Sequence, residues 1–83
     1  SKTAKINLDK IQMYIDKKKL NLNETINVEI LKKLKIINKN SKKLKILGKG
    51  EIKSKVSIKA DLISKSAIEK LKKIGVSFQV SNK

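Results

Sequence analysis

The sequence has no cysteine, histidine, proline, arginine or tryptophan, and its only aromatic residues are Tyr14 and Phe78. Each absence closes a class of function. Without cysteine there is no disulfide to staple a small fold and no thiolate metal site. Without histidine the commonest general base and a principal zinc ligand are missing. Two aromatics cannot furnish the stacking platform on which RNP-type and OB-type modules lay single-stranded bases; Phe78 falls on the apolar parity of its segment and is expected in the core. No run reaches the roughly 18 apolar residues of a membrane span, and no signal-peptide pattern occurs. Acids are scarce as well. Asp9, Asp16, Glu24, Glu29, Glu51, Asp61 and Glu69 are the full set, and no two of them form a recognisable acid–base motif. The expectation is a non-enzymatic domain in a reducing compartment, with no metal, no other cofactor and no small-molecule substrate.

Lysine dominates what remains. The 83 residues carry 22 basic and 7 acidic side chains, a formal net charge of +15. Such a chain repels itself and attracts polyanions, nucleic acid first and an anionic membrane surface second. Isoleucine, asparagine and lysine make up about half the chain, so A/T-rich codon usage contributes to the lysine count. That bias accounts for lysine in place of arginine better than it accounts for the shortage of acids. Lysine is a point charge without arginine's bidentate fork. It suits phosphate contact and suits the reading of base edges poorly, which favours recognition of backbone and shape over a sequence-specific DNA factor.

The periodicity reads as one small globular domain with frayed residues at 1–5 and 81–83. Residues 5–8 form a short strand. Leu8, Ile11 and Ile15 then fall at helical spacing, with Asn7 or Asp9 as N-cap. Lys17-Lys18-Lys19 is a solvated connection. Asn27 caps a second helix whose stripe is Val28, Leu31 and Leu34, widened by Ile30 and Ile37. A strand covers residues 44–47, and Gly48-Lys49-Gly50 makes a tight turn. Val56, Ile58, Ala60 and Leu62 alternate with Lys55, Ser57, Lys59 and Asp61, which predicts a strand with one buried and one wet face. Ser66 and Glu69 have capping-box spacing at the start of a third helix, although Ser64 could cap instead. Ala67, Ile68, Leu71 and Ile74 are its buried stripe. Gly75 follows as a left-handed C-terminal residue, and Val76, Phe78 and Val80 give a last strand. The fold class is α/β in the order β-α-α-β-β-α-β. The connection after Gly48 is too short for a helical crossover, so the strands at 44–47 and 56–62 are not expected to be parallel neighbours.

Three local sites merit weighing. Gly48-Lys49-Gly50 lacks the spacing of a nucleotide-binding P-loop; its turn could offer Lys49 and backbone N–H groups to a phosphate. The start of the third helix offers unpaired N–H groups, a positive dipole end, Ser64, Lys65 and Ser66; the plainer reading is that the serines are caps. The third helix is also basic and amphipathic, but without Trp or Phe anchors its apolar face is better used against its own sheet. The candidate RNA-binding residues are therefore Lys45, Lys49, Lys53, Lys55, Lys59, Ser64, Lys65, Ser66, Lys70, Lys72 and Lys73. A protein-docking module with solubilising lysines, and a non-specific DNA compactor, are the rival readings.

Leu44-Lys45-Ile46-Leu47-Gly48-Lys49-Gly50-Glu51, Val56-Ser57-Ile58-Lys59-Ala60, Ser64-Lys65-Ser66-Ala67-Ile68-Glu69-Lys70-Leu71 and Gly75 together resemble the C-terminal domain of the large-subunit ribosomal protein L-fifteen family. Ile6-Asn7-Leu8 and Ile26-Asn27-Val28-Glu29-Ile30-Leu31 extend the likeness upstream. The sequence departs from the family at Asp61, where His is frequent, and at Lys35 and Val76, where Gly is usual. The Gly- and Arg-rich N-terminal half of the family has no counterpart in these residues, so the chain is expected to be the globular half. The resemblance implies an irregular β-β-α superhelix. It also implies a structural role in the large ribosomal subunit, with large-subunit ribosomal RNA and neighbouring ribosomal proteins as partners. The setting would be a cytoplasmic bacterial-type or an organellar ribosome.

Overall fold

The computed structural model describes residues 2–81. Its first strand, β1 (Thr3–Asn7), runs directly into α1 (Leu8–Asp16). β1 pairs in parallel with β3 (Lys43–Leu47), and β3 pairs in parallel with β5 (Leu62–Ile63). The second sheet is built from β2 (Thr25–Ile26), β4 (Ser57–Ala60) and β6 (Ser77–Val80), again all parallel. Odd strands thus make one sheet and even strands the other. Each winding of the chain contributes one strand to each sheet, and α1, α2 (Val28–Lys33) and α3 (Lys65–Ile74) lie in the connections. This is the α/β superhelix that the resemblance implied. β3 and β4 belong to different sheets, because parallel neighbours need a crossover longer than the turn between them allows.

One core joins both sheets. Leu8, Ile11, Leu31, Leu44, Ile46, Ile58 and Leu71 are fully buried in it, and Phe78 packs against it half-buried. The stripe of α1 turns inward as its spacing predicted, and after Lys18, which has φ +62°, the chain brings Leu20 back into the core. Asn27 caps α2, its Oδ1 accepting the Ile30 N–H at 2.9 Å. Gly75 closes α3 at φ +75°, and the Val76 N–H reaches back to the Leu71 carbonyl at 2.9 Å.

Several expectations are corrected. Residues 3–5 are not frayed, since pairing with β3 secures their backbone and Ile6 behind them is core; the same expectation for residues 1, 82 and 83 lies outside the described residues. The order is β-α-β-α-β-β-β-α-β. The two-residue β2 has no periodicity of its own and exists only through its pairing with β4. The strand expected over 56–62 is split at Asp61, where the chain leaves one sheet for the other. The Asp61 N–H donates to the Leu44 carbonyl (2.9 Å), and its carboxylate accepts the Leu44 N–H (2.8 Å). Leu62 therefore emerges 40% exposed instead of buried. Lys55 precedes β4 and does not belong to it. Ser64, not Ser66, caps α3, its Oγ accepting the Ala67 N–H at 3.3 Å.

α2 also ends earlier than its stripe suggested, leaving Leu34 37% exposed. Lys35 sits at φ +61°, and the Ile36 N–H folds back to the Leu31 carbonyl. A side chain in that left-handed region costs about 1–2 kcal/mol, part of which glycine returns as chain entropy. Lys35→Gly is expected to raise stability by about 0.5–1 kcal/mol, read as a higher urea midpoint with an unchanged slope.

Candidate nucleic-acid interface

The Gly48–Gly50 turn is held on three sides. The Asn7 Oδ1 accepts the Lys49 N–H (3.1 Å), and the Lys49 carbonyl accepts the Asp9 N–H (3.1 Å). Asn7 stands at the N-cap position of α1 but makes no side-chain cap bond there; its amide is spent on the turn. From the other side, the Lys70 ammonium donates to the carbonyls of Gly48 (2.8 Å) and Gly50 (2.6 Å) and lies 3.5 Å from the Glu51 carboxylate. The Lys49 N–H, expected to be available to a phosphate, is thus already bonded, while the Lys49 side chain remains exposed. Lys70 has an internal role as the tie between α3 and the turn.

The α3 N-terminus is similarly committed. Ser64 caps it, its Oγ lies 3.4 Å from that of Ser66, and the Gly48 backbone approaches so closely that a methyl group there would overlap Ser66 and crowd the Ala67 N–H. Ser66 and Lys65 stay exposed beside this closed end.

Gln12 is the residue that sequence reasoning missed. It is 9% exposed. Its Oε1 accepts the N–H groups of Lys53 (2.7 Å) and Ser54 (3.1 Å), and its Nε2 donates to Asp16 Oδ1 (3.0 Å) and Ser54 Oγ (3.1 Å). It fixes the loop that carries the exposed side chains of Lys53 and Lys55. The available signal was position: residue 12 shares the inward face of a helix whose other inward residues are Leu8, Ile11 and Ile15. A polar group there must find partners. Gln12→Leu would strand two backbone donors, and is expected to cost about 2–3 kcal/mol in urea unfolding.

The candidate lysines do not converge on one point. Lys45 lies half-buried on β3 of the first sheet, and Lys59 is exposed on β4 of the second. Lys72 and Lys73 are exposed in the last turn of α3, where cations also complement the helix dipole. The acids sort the surfaces further. The shallow face beside α1 is lined by Asp9, Asp16 and Glu51 as well as Lys17 and Lys53, so its field is largely cancelled. Next to β1, a depression of about 430 Å³ is lined by Lys2, Lys5, Asn38, Asn40 and Ser41 with no acid. Among the described residues no helix is long and apolar enough to cross a membrane, and no group of three or more potential ligands is placed to hold a metal ion.

Comparison with known proteins gives the arrangement its context. A family of ribosomal proteins that takes in 50S-L15, 50S-L18e and a 60S counterpart matches residues 5–79. The large ribosomal subunit protein uL15 of Pelagibacter ubique (strain HTCC1062) is 62% identical over 77 residues, which is 93% of this chain and 50% of that protein. The chain thus spans about half the length of the curated relative it matches. With the glycine turn and the helix-three motif both falling inside the matched region, the chain belongs to this family of ribosomal proteins.

Proposed function

We propose that this chain is a structural constituent of the large ribosomal subunit that binds large-subunit ribosomal RNA through lysine–phosphate contacts and supports subunit assembly. Neighbouring large-subunit ribosomal proteins complete its surroundings, in a bacterial-type cytoplasmic ribosome or its organellar counterpart. One observation carries the reading: against 22 basic and 7 acidic residues, the described residues form a single side-chain ion pair, Lys70 with Glu51. The fold spends Lys70 on itself and leaves the ammonium groups of Lys49, Lys53, Lys55, Lys59, Lys65, Lys72 and Lys73 on exposed residues. An array of exposed cations held on a small folded scaffold suits a folded polyanion.

The test is binding of the chain to protein-free large-subunit ribosomal RNA. Lys72→Gln combined with Lys73→Gln is expected to lower affinity about tenfold near 100 mM salt, at roughly one unit of salt slope per lost phosphate contact. Unchanged RNA affinity across lysine neutralisations, with association only to other ribosomal proteins, would favour the docking module instead.

A further inference from the structure

Two of the acid-free segments of this sequence become neighbours in the fold. One is residues 1–8. The other is residues 30–50, which carry eight lysines and no Asp or Glu. Parallel pairing of β1 with β3 lays these two segments side by side. On the face opposite the core, Thr3 meets Lys43 and Lys5 meets Lys45, and Lys45 is flanked on its other side by the exposed Leu62. Directly paired residues on adjacent strands have Cβ atoms about 5 Å apart, and like charges placed so are destabilising. A lysine on an edge strand is a common guard against sheet-to-sheet aggregation, which accounts for Lys5. It does not account for Lys45, which sits on the central strand, half-buried, with no carboxylate of the described residues in ion-pair range. Asp61, which leads into β5 of this sheet, gives its carboxylate to the Leu44 N–H.

We propose that the outward face of the β1-β3-β5 sheet, centred on the Lys5–Lys45 pair with Lys43 beside it, is a surface that docks on the phosphate backbone of structured RNA, in addition to the exposed lysines at the end of α3. The proposal rests on the ribosomal-RNA reading and adds to it the face, two lysines that sequence reasoning did not single out, and a signature. The same pair that binds the polyanion strains the free domain, so stability and affinity oppose each other at these positions. The acid-lined face beside α1 has no such pair and is not the docking surface.

The experiment compares two double variants of equal net charge. Lys5→Gln with Lys45→Gln removes the pair. Lys10→Gln with Lys17→Gln removes two charges from the acid-bearing side. The first is expected to raise Tm by about 2–4 °C. It is also expected to lower affinity for large-subunit ribosomal RNA at least tenfold near 100 mM salt, with the salt slope reduced by about 2. The second is expected to change affinity less than about threefold, the residue of a long-range field that salt screens, and not to raise Tm. Equal losses from both variants, or RNA affinity unaffected by the first, would overturn the assignment of this face. An unchanged or lowered Tm in the first would overturn the strain. If the unmodified chain itself shows no salt-dependent binding to this RNA, the ribosomal-RNA reading fails and the surface fails with it.

Discussion

Gly50→Ala is expected to remove about 2–4 kcal/mol of stability, against a total of about 4–12 for a domain of this length. Two causes add. The backbone at Gly50 has φ +83°, where an L side chain is strained. The space is also taken, because a methyl group there would overlap the Cβ of Asp9 and approach its Cγ at 2.9 Å and Cα at 3.1 Å. Asp9 cannot swing clear, since the obstacle is the first turn of α1 and not the tip of a side chain. Moving that turn would break the Asp9–Lys49 and Asn7–Lys49 hydrogen bonds. Gly75→Ala is the matched control. Its φ of +75° imposes the same backbone strain, but nothing lies within 4 Å of the added carbon, so the loss should stay near 1 kcal/mol. Urea unfolding of the two variants separates strain from overlap. Equal losses would mean that the turn yields freely and that its three-sided tether adds no rigidity.

Much of this fold was legible wherever the signal is local. The helical spacing of Leu8, Ile11 and Ile15, the cap at Asn27, the left-handed Gly75 and the alternation from Val56 to Ala60 all depend on near neighbours. What stayed hidden depends on residues far apart in the chain. The alternation that predicted Leu62 inward failed because Asp61 binds both backbone groups of Leu44 and hands the strand to the other sheet. Lys70 looked like one more surface cation on α3, since its partners are carbonyls 22 and 20 residues away in sequence. The windings are unequal as well: the chain between Lys5 and Lys45 is more than twice as long as that between Lys45 and Leu62. No repeat therefore surfaces in the sequence. For the same reason the candidate interface was only half visible. Charge pointed to a polyanion, but the pairing of Lys5 with Lys45 is a product of topology.

Binding to large-subunit ribosomal RNA is expected to weaken about a thousandfold between 50 and 200 mM salt if some six phosphates are neutralised, a slope near −5 on logarithmic axes. The driving term is release of condensed counterions, and its size counts contacts without depending on base sequence. The sequence makes the prediction unusually sharp, because every basic residue is lysine. There is no guanidinium fork to add bidentate base recognition, and no exposed aromatic cluster to add a salt-insensitive stacking contribution. A docking module held mainly by apolar contacts through Leu62 and its neighbours would show a shallow slope instead. A DNA compactor would show an equally steep slope, but with the same affinity for duplex DNA. Titration of the chain against ribosomal RNA and against duplex DNA at several salt concentrations therefore distinguishes all three. The spacing of cations on a rigid parallel sheet should favour the folded RNA over the uniform duplex.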